Sequence, residues 1–247
     1  MYQKFYGLRD KPFQIVPNPT YLYKSLHHEN ALTYLEYGLS ENVGFILLTG
    51  EIGSGKTTLI QYILNKLGGD TVAAVIFNTN VSADQLLGLI LTEFELAFKE
   101  GDKAGTLDTL NQFLIQKYAE KKQVLLIIDE AQNLSAEALE EVRMLSNLQS
   151  EDQALLQIML VGQPELIAKL RKPSLMQFTQ RIAVSYHLAS LTREETGNYI
   201  AFRLEKAGGR ADLFSPEAVD LIHRLAGGIP RSINLLCQAA LVYGFAD

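Results

Sequence analysis

A chain of 247 residues is long enough for one α/β domain with a smaller domain appended. With 47% hydrophobic and 20% charged residues it has the make-up of a globular protein, which excludes a disordered chain, and a formal net charge of −6 argues against unaided electrostatic binding to nucleic acid. The apolar runs Phe45–Leu48 and Val124–Ile128 fall far short of the roughly 18 residues of a membrane span.

Residues 1–23 hold Pro12, Pro17 and Pro19 among aromatics and read as an extended segment anchored by its side chains, neither helix nor strand. Its charges at Lys4, Arg9, Asp10 and Lys11, with no apolar stretch, argue against a secretory leader, so a cytoplasmic chain is expected. From His27 to Leu39 the apolar residues Ala31, Leu32, Leu35 and Leu39 recur at helical spacing. The short apolar run 44–49 reads as a buried parallel strand, and 57–67 as a helix stopped at Gly68-Gly69.

Strands at 72–77, 124–128 and 155–161 then alternate with helices near 83–99, 107–120 and 136–148, and a last strand is expected at 182–188. Such alternation predicts a parallel sheet covered by helices on both faces. After Ser190 only helices are expected, at 193–206, 216–226 and 231–243, so residues 1–189 read as the core with its leading segment and 190–247 as a small helical lid. The lone Cys237 has no disulfide partner and no second ligand at metal spacing, and reads as a small buried apolar residue.

Gly50-Glu51-Ile52-Gly53-Ser54-Gly55-Lys56-Thr57 fits G-x-x-x-x-G-K-[ST] and sits between a predicted strand and a predicted helix, the context that gives the motif its meaning. The glycines let the backbone turn tightly and aim N–H groups at phosphate oxygens, and the helix N-terminus adds partial positive charge. Lys56 is placed to neutralise β- and γ-phosphates and Thr57 to offer its hydroxyl to Mg2+, with Thr58 completing the nucleotide cradle.

Val124–Ile128 runs into Asp129-Glu130, which puts Asp129 at the carboxyl edge of the sheet, where ligands of open α/β folds bind. In that place Asp129 serves Mg2+ and Glu130 acts as the general base toward water. An aspartate after a strand also commonly caps the next helix. The adjacent glutamate separates the chain from small kinases and transferases, where hydrolysis is avoided.

These residues, with FYGLRDKPF and PNPTYLY near the start, HHENALTYLEYGL, LLIIDEAQNL, LVGQPEL, FTQRI and GGIPRSINLLC, resemble the AAA+ ATPases. The likeness is greatest to the general secretion pathway protein A (ExeA-type) group, with relatives among transposition ATPases of the TniB kind, and it runs over nearly the whole chain. It implies a P-loop NTPase sheet followed by a helical lid, ATP and Mg2+ as cofactors, and a homo-oligomer.

Residue by residue, the resemblance implies that Gln163 is the sensor-1 residue, where an ordinary loop glutamine before Pro164 fits the same position. Arg181 is similar to the arginine finger that reaches a neighbouring subunit, where a surface arginine is the other reading. Arg231 is similar to sensor 2. Independently of the family, a cation at that helix start is disfavoured by about 0.3–1 kcal/mol, a sign that a nearby phosphate reverses. His27, His28 and Tyr37 lie where the family's helix nears the base, and surface histidines with a core tyrosine fit as well.

The family's longer members carry a membrane span and a peptidoglycan-binding domain after the ATPase, neither of which lies in these 247 residues. The expectation is a stand-alone ATPase or part of a longer protein at the inner-membrane face. Its functions would be assembly of a secretion or pilus-type envelope complex, a DNA-associated transposition role disfavoured by charge, or a nucleotide switch with little turnover.

Overall fold

The computed structural model describes residues 2–99, 101–150 and 153–246. In chain order these form α1 (Tyr2–Phe5), a 3-10 turn at Pro19–Tyr21, α2 (Leu26–Ser40), β1 (Phe45–Gly50), α3 (Lys56–Lys66), β2 (Thr71–Ile76), α4 (Ala83–Glu93), α5 (Lys103–Ala119) and β3 (Gln123–Ile128). A 3-10 turn at Ala131–Asn133, α6 (Ala136–Leu145), β4 (Gln149–Ser150), β5 (Gln153–Ala154), β6 (Gln157–Gly162) and α7 (Pro164–Leu170) follow. The chain continues through a 3-10 turn at Pro173–Leu175, α8 (Met176–Thr179), β7 (Ile182–Leu188), α9 (Arg193–Lys206), α10 (Pro216–Ala226) and α11 (Pro230–Ala246).

Most expected elements are present. The helix expected to run to Lys99 ends at Glu93, because Glu95 turns into the left-handed region (φ 57°) and the Leu96 N–H closes back on the Leu91 carbonyl. The leading segment is not wholly extended, since it contains α1 and the turn at Pro19–Tyr21, the latter capped by Asn18. The antiparallel pair β4–β5 is not legible as strands, being two residues on each side.

The residues group into two compact units that interleave in sequence: Ala31–Gly50 with Ile63–His187, and Glu51–Tyr62 with the residues up to Asn30 and those from Leu188 onward. In the first unit the strands order as β2-β3-β6-β1-β7, with β2–β3, β3–β6 and β6–β1 parallel. β1 and β6 are buried throughout, as expected of strands covered on both faces. One face buries Phe45, Leu47, Leu126, Ile128, Ile158 and Leu160 with α4, α5 and α6. On the other, Gly38 of α2 lets that helix approach Ile46 and Val184, since a Cβ there would lie 2.8 Å from the Ile46 side chain.

The second unit has its own core, built from α9, α10 and α11 and from Tyr2, Leu8 and Phe13 of the leading segment. Arg203, buried in α9, donates to the carbonyls of Pro12 and Gln14 and to the Tyr199 hydroxyl, fastening that segment to the helices. The leading residues thus group with the helices after β7, although a boundary read along the sequence falls at 189/190. Cys237 is fully buried here, and burial pushes its thiol up to about 12. Among the described residues no helix is long and apolar enough to cross a membrane.

Ser25 immediately precedes α2, and its Oγ accepts the His28 N–H and lies 2.8 Å from His28 Nδ1. His28 is 4% exposed, and burial pushes its imidazole down to about 4, opposed by a hydrogen bond to the Ser54 backbone and by Glu195, and reinforced by His27.

Two outcomes are expected. Leu126→Ala, at a fully buried position on an interior strand, should lower unfolding free energy by about 3–5 kcal/mol in denaturant titration. Because the folded His28 value lies below the unfolded one, the unfolded chain binds more protons between pH 6.5 and 4, so the stability from this group is full above that window and lost as pH falls through it. Between pH 7 and pH 5 the wild-type chain should lose about 2 kcal/mol more than His28→Gln when urea unfolding is compared at the two values.

Candidate active site

Strand β1 ends at Gly50, and the chain then enters the glycine-rich loop. Gly53 and Gly55 take φ values of 82° and 108°, which side-chain-bearing residues rarely adopt, and both are crowded. A Cβ on Gly53 would fall 2.4 Å from Arg231 Cβ, and one on Gly55 would fall 3.0 Å from His28 Nε2. The Glu51 carbonyl accepts the Ser54 N–H and the Lys56 ammonium at 3.0 Å, so the buried lysine lies back along its own loop. Thr57 and Thr58 are half-buried in the first turn of α3, whereas Glu51 and Ile52 are exposed.

Arg231 is the second residue of α11, behind the left-handed Gly227 and Gly228. A Cβ on Gly228 would sit 2.1 Å from the Leu191 carbonyl oxygen, so the Gly-Gly pair is what allows α11 to begin there. The Arg231 N–H donates to the Gly53 carbonyl, while its exposed guanidinium makes no hydrogen bond or ion pair among the described residues. A cation is thus kept at a helix start beside the loop without a carboxylate to neutralise it.

The loop fits a phosphate on its own evidence. Two positive-φ glycines, a helix start and a lysine surround it, and the buried Ser54 Oγ has no hydrogen-bond partner among the described residues. Thr57 in the loop and Asp129 in the sheet unit each carry a hard oxygen donor of the kind that suits Mg2+.

In the sheet unit, the parallel register Thr49↔Gly162 and Ile128↔Leu160 brings Gly50, Gln163 and Asp129 to one edge. Asp129 is buried, and its Oδ1 accepts the Glu130 N–H at 2.8 Å. The cap of α6 is Ser135, not Asp129. Glu130 adopts a left-handed backbone (φ 52°, ψ 37°), unusual for a residue with a side chain, held by Thr79 Oγ1 and Asn133 N–H on its carbonyl.

Two amides converge on Glu130 Oε2, Gln132 Nε2 at 2.6 Å and Gln163 Nε2 at 3.0 Å. Gln132 also accepts the Gln163 N–H, and Lys169 donates to the Gln132 carbonyl. Gly162 leaves room for this, since a Cβ there would meet Gln132 Oε1 at 2.9 Å. Among the described residues Glu130 Oε1 has no hydrogen-bond partner, so one carboxylate oxygen is held and the other is open.

Gln132 was missed at the sequence level; its place two residues after a strand-end glutamate was the available signal. Arg181 stands apart from this cluster, its Nη1 bonded to Ser146 Oγ and Asn147 Oδ1. Tyr37 is exposed on α2 and His27 is half-buried, whereas His28 is buried against the loop.

A family model described as an AAA domain matches residues 40–170. General secretion pathway protein A of Aeromonas hydrophila is 44% identical over all 247 residues, which span 45% of that protein's length. Among solved structures, the Aeropyrum pernix ORC2 protein in its ADPNP-ADP complexes has a TM-score of 0.66 at 22% identity, over 95% of this chain and 67% of that one. The Aeropyrum pernix ORC1 protein in complex with DNA has a TM-score of 0.70 at 15% identity, over 96% and 64%. At such identities the likeness is one of fold. With its phosphate loop, strand-end Asp-Glu pair and full-length match to a secretion-pathway relative, the chain belongs to the AAA family of P-loop ATPases.

Proposed function

We propose that the chain binds MgATP and hydrolyses it, as the ATPase module of an assembly factor for a secretion or pilus-type envelope complex. The observation that carries the chemistry is the shared edge of β1, β6 and β3, where Gly50, Gln163 and the Asp129-Glu130 pair stand together. In this reading Lys56 neutralises the transferring phosphate, Glu130 takes a proton from water through its open Oε1, and Gln163 orients that water. Mg2+, when bound through Thr57 and Asp129, offsets charge on the β- and γ-phosphates.

Arg231 adds a cation from the lid, and Arg181 is assigned to the nucleotide of a neighbouring copy in a homo-oligomer. In this reading the functional division is the leading segment plus ATPase core over residues 1–189 and a helical lid over 190–247. The envelope role rests on the relative's name, and with it a place at the cytoplasmic face of the inner membrane in a longer protein. The acidic net charge of −6 weighs against a DNA-stimulated role.

Glu130→Gln should keep nucleotide affinity and lose turnover by about 10²–10⁴-fold, whereas Lys56→Ala should lose binding itself, as read by equilibrium titration and phosphate release. Specific activity should rise with protein concentration and fall on Arg181→Ala, and duplex DNA should leave it unchanged. A concentration-independent rate would remove Arg181 from the site, and stimulation by DNA would overturn the envelope reading.

A further inference from the structure

The phosphate loop is gripped on its inner side by a residue that the ATPase chemistry does not use. His28 is 4% exposed, and its Nε2 stands 3.0 Å from where a Cβ on Gly55 would lie. The ring thus packs on the loop backbone around Ser54, which lies between the positive-φ glycines at 53 and 55. On its far side Nδ1 is 2.8 Å from Ser25 Oγ.

The direction of each bond follows from the donors available. Ser25 Oγ accepts the His28 backbone N–H and lies 2.8 Å from Nδ1, where its hydroxyl can donate to that nitrogen. With the Ser25 proton directed at Nδ1 the ring proton lies on Nε2, the nitrogen that faces the loop backbone beside Gly55. The start of α2 is fixed in turn by the Leu26 N–H on Glu195 Oε1, the carboxylate that also closes the capping box of α9.

We propose that His28 is a positioning residue for the phosphate loop: Ser25 locks its tautomer, and its Nε2–H holds the Ser54 peptide in the conformation that receives a phosphate. The loop is therefore organised before nucleotide arrives. Gly55 gives the ring room to approach, and a buried neutral imidazole supplies a donor without adding a second charge to the loop. This rests on the reading of the loop as a nucleotide site, but the grip itself is a property of the free chain.

The test uses the full 247-residue chain and two substitutions that divide the ring's functions. His28→Gln places an amide N–H near the Nε2 position, whereas His28→Asn reaches only the Nδ1 position. Hydrogen exchange over residues 51–58 without nucleotide should quicken by about tenfold in His28→Asn and stay near wild type in His28→Gln, the size expected for stranding one buried carbonyl. The dissociation constant for a fluorescent ADP should weaken by about tenfold in the same variant only, with thermal midpoints of the two variants alike.

Equal behaviour of the two variants, or unchanged exchange in His28→Asn, would overturn the proposal. If exchange responds as stated while wild type and Lys56→Ala alike fail to bind ADP, the grip stands and the nucleotide reading falls.

Discussion

Parallel pairing of β1, β6 and β3 in one register is the constraint on which the sheet unit depends. It makes all three strands end at the same edge, so residues far apart in sequence, Gly50, Asp129 and Gln163, stand side by side without any direct attraction among them. The apolar side chains that hold this register are buried on both faces, and covering both faces is what a parallel sheet demands. The polar groups are thereby pushed to the strand ends, where backbone hydrogen bonding stops and side chains take over.

What takes over at β3 is a small network with one strained residue at its centre. Glu130 holds a left-handed backbone that would ordinarily favour glycine, and Thr79 and Asn133 keep it there. Gln132 and Gln163 fix one oxygen of its carboxylate and leave the other open. A loose glutamate would spend most of its time in other rotamers, so restraint at Oε2 is what gives Oε1 a defined direction.

The second unit applies the same economy to backbone. Glycine at 53 and 55 allows two side chains from distant segments, Arg231 and His28, to come within van der Waals range of the loop. The aromatic leading segment, fastened by Arg203, groups with the helices after β7 because Tyr2, Leu8 and Phe13 complete a core that three amphipathic helices leave open.

By itself the sequence determined the alternation of strands and helices, the phosphate loop and the Asp-Glu pair, because each is written in contiguous residues: short apolar runs or period-3.6 burial, glycines at fixed offsets, an apolar run ending in charge. Only the tertiary structure decided that Gln132 and Gln163 share one carboxylate oxygen, that Arg181 bonds to Ser146 and Asn147, and that His28 is a buried partner of the loop. The early end of α4 likewise depends on a local backbone turn. Contacts between segments tens to hundreds of residues apart depend on strand order and on which face of a helix is buried, and neither leaves a mark in the spacing of any one stretch of chain.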